Sequence, residues 1–198
     1  MKILHYTLGL APQRSGGMTK YATDLMVEQA RQGHDVALLF PCGYRWWSDT
    51  TYCKIGQKAE NIQLYELKNT LPIPLLYGTK SPKDFIASRR MSEKAMESLY
   101  NDIKPDAFHV HTLMGLPIEL LQFLKNKGVK LIYTSHDYFG ICPKVNLIDY
   151  DGKLCNNPSA ERCSRCNQGS KSTLYLRLRN SQFALNLKNN PVLRKILK

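Results

Sequence analysis

The sequence predicts an α/β protein built on a doubly wound parallel sheet. Three observations carry that expectation. Apolar runs of strand length alternate with stretches whose apolar residues recur at helical spacing. The first such unit, residues 2–40, reads strand, glycine-bearing loop, helix, strand, which is the βαβ unit of a parallel sheet. Finally, Gly16 and Gly17, His111, His136 and Asp137 all fall just after predicted strands, where ligands bind in such sheets.

The elements follow in order. Lys2 to Thr7 is a short opening strand. Met18, Tyr21, Ala22, Leu25, Met26 and Ala30 mark an amphipathic helix, and Gly33 stands where a helix stop belongs. Asp35 to Phe40 is a buried strand. Cys42 to Asn61 reads as a loop carrying Tyr44, Trp46, Trp47 and Tyr52, aromatics that either stack on sugar rings, sit at a membrane surface or cover the sheet edge. Ile62 to Leu67 is the third strand. Pro72, Pro74 and Pro82 exclude a regular element across residues 68–82. The spacing of Phe85, Ile86, Met91, Ala95 and Leu99 predicts a helix from Lys83 to Ile103. Ala107 to His111 is the fourth strand. A helix opened by Pro117 and stopped by Gly128 follows, and then a fifth strand, Lys130 to Ser135. A cysteine loop spans 138–170, and Thr173 to Lys188 is the last helix. The expected division is a domain over 1–170 and a basic helix and tail over 171–198.

At 198 residues the chain can bury a core of its own. Its 43% hydrophobic and 22% charged residues are those of a globular protein, and no run of about 18 apolar residues predicts a membrane span. The opening MKILHYTLGL is too short for a signal peptide, so reduced thiols and a cytoplasmic setting are expected. The net charge is +12, and Lys171 to Lys198 holds seven Lys or Arg and no acid. Such a tail attracts a phosphate-rich partner: nucleic acid, a nucleotide sugar or an anionic membrane surface.

Four groups of residues can carry chemistry. Ser15-Gly16-Gly17 before a helix lets a backbone approach a phosphate or sugar, although no GxGxxG or Walker pattern is present. His109 and His111 share a strand face, a pattern read either as a metal pair or as His109 packed and His111 meeting a ligand at the strand end. His136-Asp137 is a polar clamp for hydroxyls, an oriented imidazole, or a turn capped by the aspartate. Cys142, Cys155, Cys163 and Cys166 are spaced C-x12-C-x7-C-x2-C, which suits structural zinc; iron–sulfur ligation, buried thiols and a disulfide stay open. Cys42 and Cys53 stand apart as ordinary side chains.

SGGMTKYATDLMVEQARQGHDVALLFP, PDAFHVHTLMGLP and YTSHDYFGICPKVNLIDYDGKLC followed by CSRC resemble, in this order, the N-terminal half of family-4 glycosyltransferases. The last segment resembles a subgroup with a cysteine-rich loop. The resemblance implies one Rossmann-like half of a GT-B architecture, the half that binds the acceptor. It implies sugar transfer from a nucleotide-sugar donor to a saccharide or lipid-linked acceptor, with retention and without a catalytic metal, at the inner membrane face. Gly16 and Gly17 match the glycine loop near the donor phosphates, His111 a histidine at the reacting centre, and His136 and Asp137 residues lining the cleft. The donor half's E-x7-E pattern is absent from these residues. The expectation is therefore a domain inactive alone, needing a C-terminal donor-binding domain or partner chain. Two other readings are a basic zinc-stabilised nucleic-acid module and a non-catalytic scaffold for a separate donor-binding chain.

Overall fold

The computed structural model describes residues 1–45, 48, 50–78, 80, 91–181, 183, 184 and 187. Among them six strands form one sheet: β1 (Lys2–Tyr6), β2 (Asp35–Pro41), β3 (Tyr52–Ala59), β4 (Ile62–Lys68), β5 (Ala107–Val110) and β6 (Lys130–Tyr133). The order across the sheet is β3-β4-β2-β1-β5-β6. Every pairing is parallel except that of β3 with β4. The α/β class and its parallel sheet are as the sequence predicts.

β3 corrects the reading of residues 42–61 as loop. Its exposed, lysine-bearing face gives no apolar alternation, because an edge strand needs no burial on its outer side. Glu60 and Asn61 both take positive φ, 49° and 67°, which makes the two-residue turn that joins β3 back to β4. Of the aromatics placed in that loop, Tyr44 donates to Leu71 O at 3.0 Å and Tyr52 lies under Arg45 in β3. Trp46 and Trp47 lie outside the described residues.

The helices are α1 (Gly17–Arg31), α2 (Glu93–Ile103), α3 (Ile118–Asn126), α4 (Ala160–Cys166) and α5 (Thr173–Arg179). The predicted helix 83–103 begins only at Glu93: Met91 is bridged to Thr51, and the Ser92 hydroxyl accepts from Ala95 N. Residues 83–90 lie outside the described residues. The predicted helix 173–188 is broken after Arg179, because Asn180 turns its amide back to Leu176 O at 2.7 Å and is buried against Arg14 and Ile73 O; Phe183, Ala184 and Leu187 are again helical, and 182, 185, 186 and 188 lie outside the described residues. No helix among the described residues is long and apolar enough to cross a membrane.

Strand alternation gives the sheet two faces. Leu4, Tyr6, Leu39, Phe108 and Val110 pack with Leu99 of α2 and Leu120 and Leu124 of α3. On the other face Val36, Leu38 and Ile62 pack with Ala22 and Met26 of α1. That second cluster stops at β2. Where apolar residues of β1 and β5 would continue it stand His5 and His109, register partners, followed by His111.

Candidate functional site

In strand order the chain builds outward from β1 through β2 to β4, then returns to the far side of β1 as β5. The β1–β5 junction is therefore the topological switch point, where connections leave to opposite faces and open a crevice at the strands' carboxyl ends. Gly16 and Gly17 border it from the loop after β1, His111 from the end of β5 and His136 from the segment after β6.

A hydrogen-bonded chain of side chains crosses this junction. Gln29 Oε1 lies 2.7 Å from His5 Nε2, His5 Nδ1 lies 3.0 Å from His111 Nε2, and His111 Nδ1 lies 3.2 Å from His136 Nε2. His109 stacks on His111 with centroids 4.2 Å apart, and its Nε2 meets Thr134 Oγ1 at 2.8 Å. Tyr21 of α1 closes the edge, its ring 4.9 Å from that of His136.

The chain has a direction. Gln29 Oε1 only accepts, so His5 Nε2 carries the hydrogen and His5 Nδ1 accepts. His111 Nε2 must then donate, which leaves His111 Nδ1 to accept from His136 Nε2. The free end is His136 Nδ1, an acceptor. Burial favours the neutral rings this pattern needs. It pushes His5 down to about 4, against the Gln29 hydrogen bond and helped by His109. It pushes His111 down to about 3, aided by His109, His5 and His136, and lowers His109 as well.

His111, expected to meet the ligand at the strand end, is fully buried with both nitrogens engaged. The group of this chain with a nitrogen to spare is His136. Asp137 Oδ1 accepts from Phe139 N at 2.9 Å, so the aspartate shapes the turn after His136. The sequence reading missed His5, Gln29 and Tyr21. One signal was available: KILHYT and AFHVH each hold a histidine in an otherwise apolar strand interior.

Gly16 is the N-cap of α1 at φ 130°, a conformation that side chains rarely adopt. No side chain caps this helix, and the space where a Cβ of Gly16 or Gly17 would stand is open. Serine hydroxyls cap α2, α4 and α5 instead. The first turn of α1 thus keeps backbone N–H groups that no side chain caps.

Two groups have metal-ligand chemistry. His5, His109 and His111 hold ring nitrogens within 4.8 Å of one another, but the hydrogen bonds above engage both nitrogens of His5 and of His111. Cys142, Cys155, Cys163 and Cys166 are unbridged thiols that line one cavity of about 20 Å³. Burial, and then the thiols of Cys142, Cys155 and Cys166, push the Cys163 thiol up. The predicted cysteine loop contains α4, which places Cys163 and Cys166 one turn apart on one helix face. Cys42 and Cys53 lie at the β2 end and on β3, far from this cavity; Cys42 meets Lys68 Nζ and burial pushes Cys53 up to about 12.

Comparison with curated proteins returns no match. A family model described as a glycosyl transferase 4-like domain matches residues 16–178, from the N-cap of α1 to the end of α5. That span holds the uncapped helix, three of the four linked side chains and all four loop cysteines, and the chain belongs to this glycosyltransferase 4-like family.

Proposed function

We propose that this chain is the acceptor-side domain of a retaining glycosyltransferase, which moves a sugar from a nucleotide-sugar donor to a saccharide or lipid-linked acceptor. The observation that supports this most is the directed chain Gln29–His5–His111–His136, which ends at the switch-point crevice beside an uncapped helix. His136 Nδ1 accepts a hydrogen bond from the acceptor hydroxyl and aims its oxygen. His111 and His5 are positioning residues that hold His136 in the tautomer this needs. The backbone N–H groups opening α1, freed by Gly16 and Gly17, favour negative charge on the departing nucleotide diphosphate. Asp137 fixes the turn that carries His136. Donor recognition comes from a further domain or partner chain. The basic residues after Lys171 favour an anionic membrane face, where a lipid-linked acceptor would be met.

Calorimetric titration with free and lipid-linked saccharides, and separately with nucleotide sugars, tests this reading. Saccharide binding should weaken about tenfold or more in His136→Ala, the loss of one buried-site hydrogen bond. Nucleotide sugars should bind weakly without a donor-binding partner. Tight, steeply salt-dependent binding of nucleic acid with no saccharide binding would replace this reading with the nucleic-acid module.

A further inference from the structure

We propose that Cys142, Cys155, Cys163 and Cys166 form a structural zinc site that takes the place of a hydrophobic core in the loop between β6 and α5. From Tyr138 to Gly169 the only buried residues are Asp149 and Asn167, both polar. The segment is nonetheless ordered into a bridged turn, Ile148 with Leu154, and the seven-residue α4. A helix that short does not hold itself in water, and the segment's apolar packing is confined to its start, where half-buried Phe139 and Val145 meet Leu8, Ile73 and Met114; from Asn146 to Gly169 no apolar side chain is buried. Small units without a core are held by a metal or by disulfides, and these four cysteines are unbridged.

The cavity fits a single ion. Its volume of about 20 Å³ is room for one water-sized body, the size of a single ion. Four thiolates around zinc carry a net charge of about −2. Lys144 and Arg162 line the same cavity. Arg162 Nη2 is held by Asp149 Oδ2 at 3.1 Å, while its Nε–H is buried and has no acceptor among the described residues. A thiolate sulfur supplies one, the kind of outer hydrogen bond that metal-bound cysteines receive. Asp149 also accepts from the backbone N–H groups of Asp151 and Lys153, and Asn167 Nδ2 donates to Cys163 O at 2.7 Å, so both buried polar residues brace the ligand-bearing turns. Binding releases the thiol protons and draws the sulfurs to the mutual spacing of about 3.8 Å that tetrahedral zinc requires. The sulfurs stand wider than that here: among the described residues, the ligand group within 4.8 Å is the histidine trio. The loop begins two residues after His136, and Tyr138 O accepts from Cys142 N, so the metal also anchors the segment that places His136 at the crevice.

Metal analysis of the whole chain, purified under reducing conditions without added metal, decides this. About one zinc per chain is expected, lost in the double variant Cys163→Ser/Cys166→Ser and kept in His111→Gln. Should the double variant not fold, cobalt exchange into the unaltered chain reads the same site. Visible bands of tetrahedral cobalt thiolate are expected, together with four thiols protected from a disulfide reagent until a chelator is added. Metal-free protein with four reactive thiols, disulfides among the four, iron with inorganic sulfide, or zinc that follows the histidines would each overturn the proposal.

Discussion

At His5 the burial of an imidazole forces a choice of protonation state and of tautomer, and Gln29 makes the second choice. Replacing Gln29 with Leu strands a buried N–H and should cost about 1–3 kcal/mol in urea unfolding. It should also weaken saccharide binding through a site the residue never touches. The same burial makes stability depend on pH. His5 and His111 ionise lower in the folded chain than the 6.5 of the free ring. The unfolded chain therefore takes up protons first, and the stabilisation, complete above 6.5, drains away as pH falls towards about 4 for His5 and about 3 for His111. The slope is about 1.4 kcal/mol per pH unit for each ring. Gln29 and Tyr21 of α1, His109 of β5 and His136 after β6 are the groups facing these rings, and none is an acid that would hold the rings charged. Unfolding midpoints measured downward from 6.5 should fall, and fall less in His111→Gln; a flat profile would deny the neutral chain.

Helices were legible where burial is one-sided and periodic, and the parallel strands as short apolar runs, buried on both faces in β1, β2 and β5 and exposed in β6. The strands β1, β2, β4, β5 and β6 and the body of α1 and α3 follow from their apolar spacing. β3 was hidden because its partner supplies hydrogen bonds and little burial, so no pattern is imposed on its side chains. The end of α5 was hidden because Asn180 stops it through contacts with Arg14 and Ile73, more than a hundred residues away in sequence. Gly78, at φ 67°, carries a close approach between the turn Leu75–Tyr77 and the end of the cysteine loop. A Cβ there would press into Asn167 Oδ1 and stand 2.5 Å from Ser170 Oγ. Gly78→Ala should lower stability by about 2 kcal/mol or more through clash and strained φ, readable as a reduced urea midpoint with an unchanged slope. Ser92→Ala, which only uncaps α2, should cost about 1 kcal/mol.

Across the whole molecule the functional face follows from topology. The chain reverses direction across the sheet at β1, and the crevice this opens is where Gly16, His111 and His136 were expected from their positions after strands. What the sequence could not give was the register that sets His5 beside His109, since no pattern in β1 alone names its neighbour. The cysteine loop stands outside this sheet, and its order should be separable from it. Hydrogen exchange with a chelator present should speed amides from Tyr138 to Gly169 by tenfold or more, while those of β1 and β5 hold their protection. Uniform loosening of sheet and loop together would contradict a local metal clamp. In the proposed function a neutral, directed histidine chain meets an acceptor sugar at its open end. The imidazole nitrogens report on it directly in a long-range proton–nitrogen spectrum of histidine-labelled chain at neutral pH. His5, His111 and His136 should all carry their hydrogen on Nε2, and a bound saccharide should shift His136 Nδ1 most. A hydrogen on His111 Nδ1, or a saccharide that binds without moving His136, would contradict it.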